Sequence, residues 1–453
     1  MTSSLYKRAG FPLSIRGSLH SALDKPRARD RGMTRFTAVL SVAMGLSCCV
    51  PFAESLADTP EALSTPADDV ATSVTIRGTA VYVAGYTFGS LGGPNAGDAD
   101  AFVRRYTPAG NVAWQRQFGT TSEDIATEIA TDDSGNLYVA GYTQGALVSS
   151  TGDYDAFLRK YDPNGTELWT RQFGTPGVDI AFGIAVDGNG DVFITGYTDG
   201  ALRGTPKGGL DVFIRKYNAS GTHAWTRQFG TAADDVGVSI AVDENGNAFI
   251  AGYTLGPLAG PNRGSGDSFL RKYDTNGSAQ WTRRFGTRKN DVAWGVATDR
   301  TGAVIVVGQT RGSATAVPGT GRGQAYVRKY NSTGQLVAND EFGSSSDDKA
   351  HAVTVDQNNN YYVTGFTYGD LAGPNAGGSD VFVRKYNRNN TVVWTRQFGS
   401  NLDDAGMGIA AVSSQKIYVA GHLRHPLQGT TQGEQDAFLR RLNANGAEVW
   451  TDE

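Results

Sequence analysis

Apolar residues come in short runs cut by turn-forming residues. In the stretch 184–229 the runs read Ile184-Ala185-Val186, Asp191 to Tyr197, Asp211 to Tyr217 and Ala224 to Phe229. Asp187-Gly188-Asn189-Gly190 separates the first two and Asn218-Ala219-Ser220-Gly221 the last two, both short hairpin signals. The connection between the second and third runs is longer and rich in Gly, Pro and Asn. The pattern predicts four antiparallel strands in one sheet. Second strands such as Val192-Phe193-Ile194 and Val81-Tyr82-Val83 are apolar at consecutive positions, which requires burial on both faces. A lone sheet of this size cannot provide that, so each must lie between two others.

The same unit recurs. Gly-Tyr-Thr or a variant begins at Gly85, Gly141, Gly196, Gly252, Gly308, Gly365 and Gly421, 55 to 57 residues apart. Asp-x-Phe followed by an apolar and two basic residues runs through Phe102, Phe157, Phe213, Phe269, Tyr326, Phe382 and Phe438. A Trp stands four residues before Phe-Gly in Trp114/Phe118, Trp169/Phe173, Trp225/Phe229, Trp281/Phe285 and Trp394/Phe398, and Trp450 holds the last such place. Seven near-equal units of four strands predict an all-β fold, a seven-bladed β-propeller of four-stranded antiparallel blades. A linear β-solenoid would want shorter coils and distinct caps. Each blade is complete in sequence, so closure is expected from packing of blade seven on blade one, without a split blade.

The 453 residues include 59 Gly, well above the ordinary share, which fits a turn-dense β protein. From Met33, a candidate true start, Arg35 is followed by an apolar stretch to Phe52 and by Ser55 and Ala57. This is the layout of a secretory leader, with cleavage expected after Ala57. Residues 1–57 are thus read as extension and signal peptide and 58–453 as the propeller, exported to the extracellular space or cell surface. Both cysteines, Cys48 and Cys49, fall in the leader, leaving none for disulfides. Leu46-Ser47-Cys48-Cys49 also resembles a lipobox, which would make Cys49 a lipid attachment site; two apolar-behaving cysteines in a leader core is the plainer reading. Residues 1–57 carry eight Lys/Arg against three Asp/Glu, so their removal takes the formal charge from −4 to −9. Nucleic acid is not an expected partner. We expect a monomer with no transmembrane span in the mature chain.

Ile240 to Asn247, Tyr138 to Thr143, Asp155 to Tyr161 and Trp169 to Gly174 together resemble the bacterial seven-bladed β-propeller repeat family called SBBP, from about residue 63 to the end. The resemblance implies an exported or surface-associated protein and carries no catalytic motif to transfer. Departures gather in blade five, where Gln309 replaces Tyr, Gln324 replaces Asp and Ala338 stands in place of Trp. Blade five is therefore expected to pack most loosely. Blade seven has His422 and Leu442 at repeat positions.

Candidate chemistry is sparse. Asp69, Asp124, Asp179, Asp235, Asp291, Asp348 and Asp404 recur at one phase, from Asp124 on six residues after the Phe that closes the preceding unit (Phe118 before Asp124). They fall at the propeller end that carries the long loops, such as 89–98, 200–209, 256–266 and 369–378. Two readings are open: an acidic ring that attracts cations, basic partners or glycans, or a set of carboxylates accepting backbone hydrogen bonds where blades meet, which repetition favours. A second set, Asp100, Asp155, Asp211, Asp267, Asp380 and Asp436, is read as structural. Calcium is weighed because Asp187 to Asp191 and Asp243 to Asn247 offer alternating oxygens, but they lack the length and downstream Glu of an EF-hand. A hairpin turn accounts for them. His223, His351, His422 and His425 occupy different phases, apart from the close pair His422 and His425, and predict no zinc cluster; no nucleophile elbow, HExxH or P-loop is present. Trp114, Arg116 and Phe118 share a strand face, with the Arg stem expected over the rings. The expected function is a non-catalytic scaffold binding a protein or glycan through the long-loop face, with no catalytic, cofactor or metal residues assigned. The alternative is an extracellular hydrolase or lyase with a site in the axial pocket.

Overall fold

The computed structural model describes residues 62–312, 323–427 and 433–453. The expected leader, with the candidate start Met33, the expected cleavage position Ala57 and Cys49, lies outside them. Each repeat folds as predicted, into a sheet whose four strands lie in chain order and pair antiparallel, and there are seven such sheets. In blade three the strands are Asp179–Val186, Val192–Thr198, Asp211–Tyr217 and His223–Phe229. The first strand begins five residues before the apolar run Ile184-Ala185-Val186, because a bulge at Phe182 shifts the register between Thr195 and Gly196 and breaks the alternation that would have marked it. The two hairpin turns of this blade are Asx turns. Asp187 Oδ1 accepts from the amides of Asn189 and Asp191, both at 2.9 Å, and Gly190 takes the left-handed φ of 79° that closes the turn.

First strands of neighbouring blades pack side by side in a closed ring, blade seven meeting blade one. Second strands, next to them, are wholly buried in blades one to six, as their apolar runs require, while in blade seven Lys416 and His422 are half-buried. A hydrophobic cluster fills each of the seven interfaces; between blades two and three it joins Leu158 and Phe173 to Ile184, Ile194, Phe213 and Tyr217. Phe173 meets Phe213 edge-on at 5.7 Å, and the pairs Phe229/Phe269 and Phe342/Phe382 repeat the geometry. Each such ring, once buried, contributes roughly 1.5–3 kcal/mol.

Closure reproduces the other interfaces with no split blade. Strands Ala405–Ser413 to Glu448–Asp452 form blade seven alone. Trp450 packs on Gly110 of blade one, Tyr106 donates to Asp452 at 2.8 Å, and the Leu63 amide donates to the Glu453 carbonyl at 3.0 Å. No helix among the described residues is long and apolar enough to cross a membrane.

Blade five is filled rather than loose. Where Ala338 leaves space, Tyr361 of blade six stacks on Tyr386 at 4.7 Å and 12°. Lys329 of blade five lies 5.8 Å from the Tyr361 ring, whereas Lys160 and Lys216 cover aromatics of their own blades. The equivalent of Tyr361 elsewhere is Leu137, Val192 or Ala248, so a larger side chain from the next blade replaces the missing indole.

Candidate functional site

The seven repeated aspartates sit at the start of the first strands, except Asp404, which immediately precedes its strand, and all are nearly inaccessible, at 0–2% exposure. In blades one to six Oδ2 accepts the amide of the Thr or Ser four residues earlier: Thr65, Thr120, Thr175, Thr231, Thr287 and Ser344, at 2.5–2.7 Å. Ser400 makes the corresponding bond to Asp404. The aspartate amides in turn donate to the preceding blade, Asp124 to Ala99 and Asp235 to Leu210, both at 2.7 Å. The carboxylates thus fix the turn that enters each blade, the aspartate amides tie it to the preceding blade, and no exposed acidic surface results. Burial pushes those of Asp69, Asp348 and Asp404 up to about 6 against the pull of their donors.

The second set anchors the long loops. Asp100 Oδ2 accepts from Ala96 N at 2.8 Å and from Gln117 Nε2 at 2.9 Å. Gln117 also donates to Gly89 O and accepts from the amides of Leu91 and Gly92, so one amide side chain pins the loop at both ends. Gln172, Gln228 and Gln397 repeat this clamp, and Arg284 takes the place in blade four through Asp267 and the Pro261 carbonyl. These glutamines, in the repeated Gln-Phe-Gly, were the legible but unused signal. The loop face is therefore built on fixed bases, with tips such as Ala201, Arg203 to Thr205 and Lys207 to Gly209 exposed.

Symmetry breaks in blades five to seven. Lys349 occupies a place held by Val70, Ile125, Ile180, Val236, Val292 and Ala405 in the other blades, and is buried. Its Nζ lies 3.5 Å from the centroid of the Trp294 ring, on which His351 stacks at 5.5 Å and 20°, and Phe366 touches both Lys349 and His351. Sequence reasoning singled out His351 and His422 separately, missed Lys349, and did not bring the three together. At the opposite, short-turn end a cavity of about 320 Å³ is lined by Arg77, Glu244, Asp299, Arg300 and Asp356 among others. Asp299 and Asp356 there hold turn amides, and Arg77 pairs with Asp133 at 2.6 Å. Among the described residues no group of three or more His, Cys, Asp or Glu is placed to hold a metal ion. His223 bonds Thr226 on an outer strand and His425 is exposed.

The SBBP β-propeller repeat matches residues 113–147, 168–202 and 224–259, each running from a fourth strand through the first two strands of the next blade. Three stretches of the chain match that repeat. The regulatory protein FlaEY of Caulobacter vibrioides is 25% identical over 418 residues, covering 80% of this chain and 42% of that protein. A WD repeat-containing protein of Acanthamoeba polyphaga mimivirus is 24% identical over 236 residues, 40% of this chain and 17% of that protein. The chain thus spans less than half the length of these curated relatives. The β-propeller domain of the Trilobed protease from Pyrococcus furiosus, of open velcro topology, is 8% identical, covers 84% of this chain and 98% of its own, and has a TM-score of 0.48. The likeness is one of architecture only.

One further departure from the SBBP pattern is acidic. Glu128 stands on the first strand of blade two where other blades carry Ser73, Gly183, Ser239 or Gly295, and its Oε2 accepts the Ile184 amide at 2.8 Å. Burial pushes this carboxyl up to about 8, the amide bond opposing. A raised acid favours the folded state while it is protonated, so its contribution is fully present below the ordinary value of 4.5 and is lost as pH rises through about 8. Glu128→Gln keeps an acceptor for Ile184 and removes the titration. Urea unfolding should find the variant close to wild type at acid pH and more stable by about 2 kcal/mol in the alkaline range, less than the full shift because part of the side chain meets solvent. A stability difference that does not change with pH would refute this account.

Proposed function

We propose that this protein is an exported, non-catalytic scaffold that binds a protein or glycan ligand through its long-loop face. The supporting observation is the repeated clamp: Gln117, Gln172, Gln228 and Gln397 tie loop backbone to buried carboxylates, leaving exposed tips of differing sequence on fixed bases. A surface ordered before it meets its ligand loses less entropy on binding, so affinity can come from modest contacts. The leader layout supports export, and Cys49 is the proposed anchoring point if the chain is lipidated.

The test is retention of the mature chain on cell-surface or matrix material, beside a variant with loops 200–209 and 369–378 cut to minimal turns. Retention should fall while the far-ultraviolet circular dichroism keeps its β signature. Undiminished retention by a folded variant would exclude those loops as the binding surface.

A further inference from the structure

Four buried nitrogens with hydrogens or lone pairs to satisfy lie on the blade five to seven sector: Lys349 Nζ, His351 Nε2, Trp294 Nε1 and His422 Nδ1 have no hydrogen-bond partner. Buried polar groups ordinarily find partners, and an unmet one costs about 1–3 kcal/mol. Lys349 and His422 depart from the repeat, and Trp294 and His351 share a phase that is Phe182, Val238 or Met407 in other blades, so none of the four is demanded by the fold. Thr72 and Thr127 stand where Trp294 and His351 do, and Tyr86, Tyr142, Tyr197 and Tyr253 where His422 does.

The charges around them favour one kind of ligand. Arg311 acts on Lys349 with a positive field, while Arg424 and Asp403 act on His422 with opposite signs. Each neighbouring carboxylate already accepts a backbone amide: Asp347 from Gly323 at 2.6 Å, Asp348 from Ser344 at 2.7 Å, and Asp403 from Ser379 at 3.1 Å, with Arg424 3.8 Å from Asp403. Gln309 donates to the Asp348 carbonyl. Lys349 thus has aromatic faces and a positive neighbour but no counter-charge.

We propose that Lys349, His351, His422 and the indole NH of Trp294 form a site for a small oxyanion, a carboxylate or an inorganic phosphate or sulfate, at the loop end of the propeller axis. The site goes beyond the loop-face reading and does not depend on it. Burial, with Arg311 adding, holds the Lys349 ammonium well below its ordinary value, and burial with Lys349 and His422 does the same for His351. Anion binding therefore takes up a proton at the amine. Affinity should strengthen by about tenfold per unit fall in pH above the free amine's pKa.

The experiment compares thermal midpoints of the full chain in sodium acetate, phosphate, sulfate and chloride at equal ionic strength, with calorimetry in buffers of different ionisation enthalpy. Lys349→Val restores the residue of blades one, four and five and should fold at least as well as wild type. We expect wild type to rise above its chloride midpoint in at least one oxyanion, with proton uptake, and the Lys349→Val protein to lose both effects. Acetate alone active identifies a carboxylate site; phosphate and sulfate alone identify a tetrahedral one. Equal midpoints in all salts for wild type, or an oxyanion shift retained by Lys349→Val, would overturn the proposal.

Discussion

Replacing Gly196 with alanine should cost more than about 3 kcal/mol, beyond the usual range for overpacking, because the added methyl meets backbone rather than a movable side chain. A Cβ built at Gly196 would lie 1.8 Å from the Ile180 carbonyl oxygen. The bulge at Phe182 pushes that carbonyl into the space a side chain would occupy. Gly85, Gly141, Gly252, Gly308, Gly365 and Gly421 meet the corresponding carbonyls of Val70, Ile125, Val236, Val292, Lys349 and Ala405 in the same way. Six intact blades cannot relieve a clash within the seventh, since both strands are already paired on their other sides or packed into the ring. The control is Gly188→Ala in the neighbouring hairpin turn, where a Cβ would meet nothing within 4 Å and φ is not left-handed. Denaturant midpoints should separate the two variants widely, the turn substitution staying within about 0.5 kcal/mol of wild type. Gly196→Ala at wild-type stability would mean that the bulge is not where the register places it.

Much of this architecture is readable from the chain because its period markers are contact residues. The Gly-Tyr-Thr glycine, the Asp-x-Phe phenylalanine and the Trp and Phe of the fourth strand each touch a neighbouring strand or blade, so the same residue must return in every unit. Strand starts were less legible: the bulge in each first strand leaves Asp179 to Gly183 without alternation, and only Ile184 onward looked like strand. The ring aspartates could be read as hydrogen-bonding groups, yet their partners, Thr120 or Thr175 four residues earlier, become evident only when the turn closes. Two features escaped because they require comparison across blades. Tyr361 fills a gap left by Ala338 in a different repeat, and Lys349 is conspicuous only beside six apolar equivalents. Motif searches run along a chain, whereas these signals run around a ring.

That reciprocity between blades gives the second large effect. Trp394 is buried, donates through Nε1 to the Ala444 carbonyl at 2.9 Å, and lies against Gly446 of blade seven, whose φ is 75°. A Cβ on Gly446 would come to 3.0 Å from the indole. Where blade five has Ala338 instead of Trp, the matching turn residue of blade six is Asn390, at φ 66°. The indole, not the backbone angle alone, excludes a side chain there, since Asn tolerates the left-handed region. Trp394→Ala should therefore cost about 3–5 kcal/mol through lost burial and the cavity left behind. Gly446→Asn should cost stability by itself, because Trp394 and Arg396 occupy its space. Combined, the two substitutions should destabilise less than the sum of the singles, with a coupling of about 1 kcal/mol or more in a double-mutant cycle. The residual deficit reflects what Tyr361 supplies between blades five and six and Ile417 does not supply between blades six and seven. Additivity within about 0.5 kcal/mol would show that indole and glycine are independent features of the repeat rather than one contact seen from two blades.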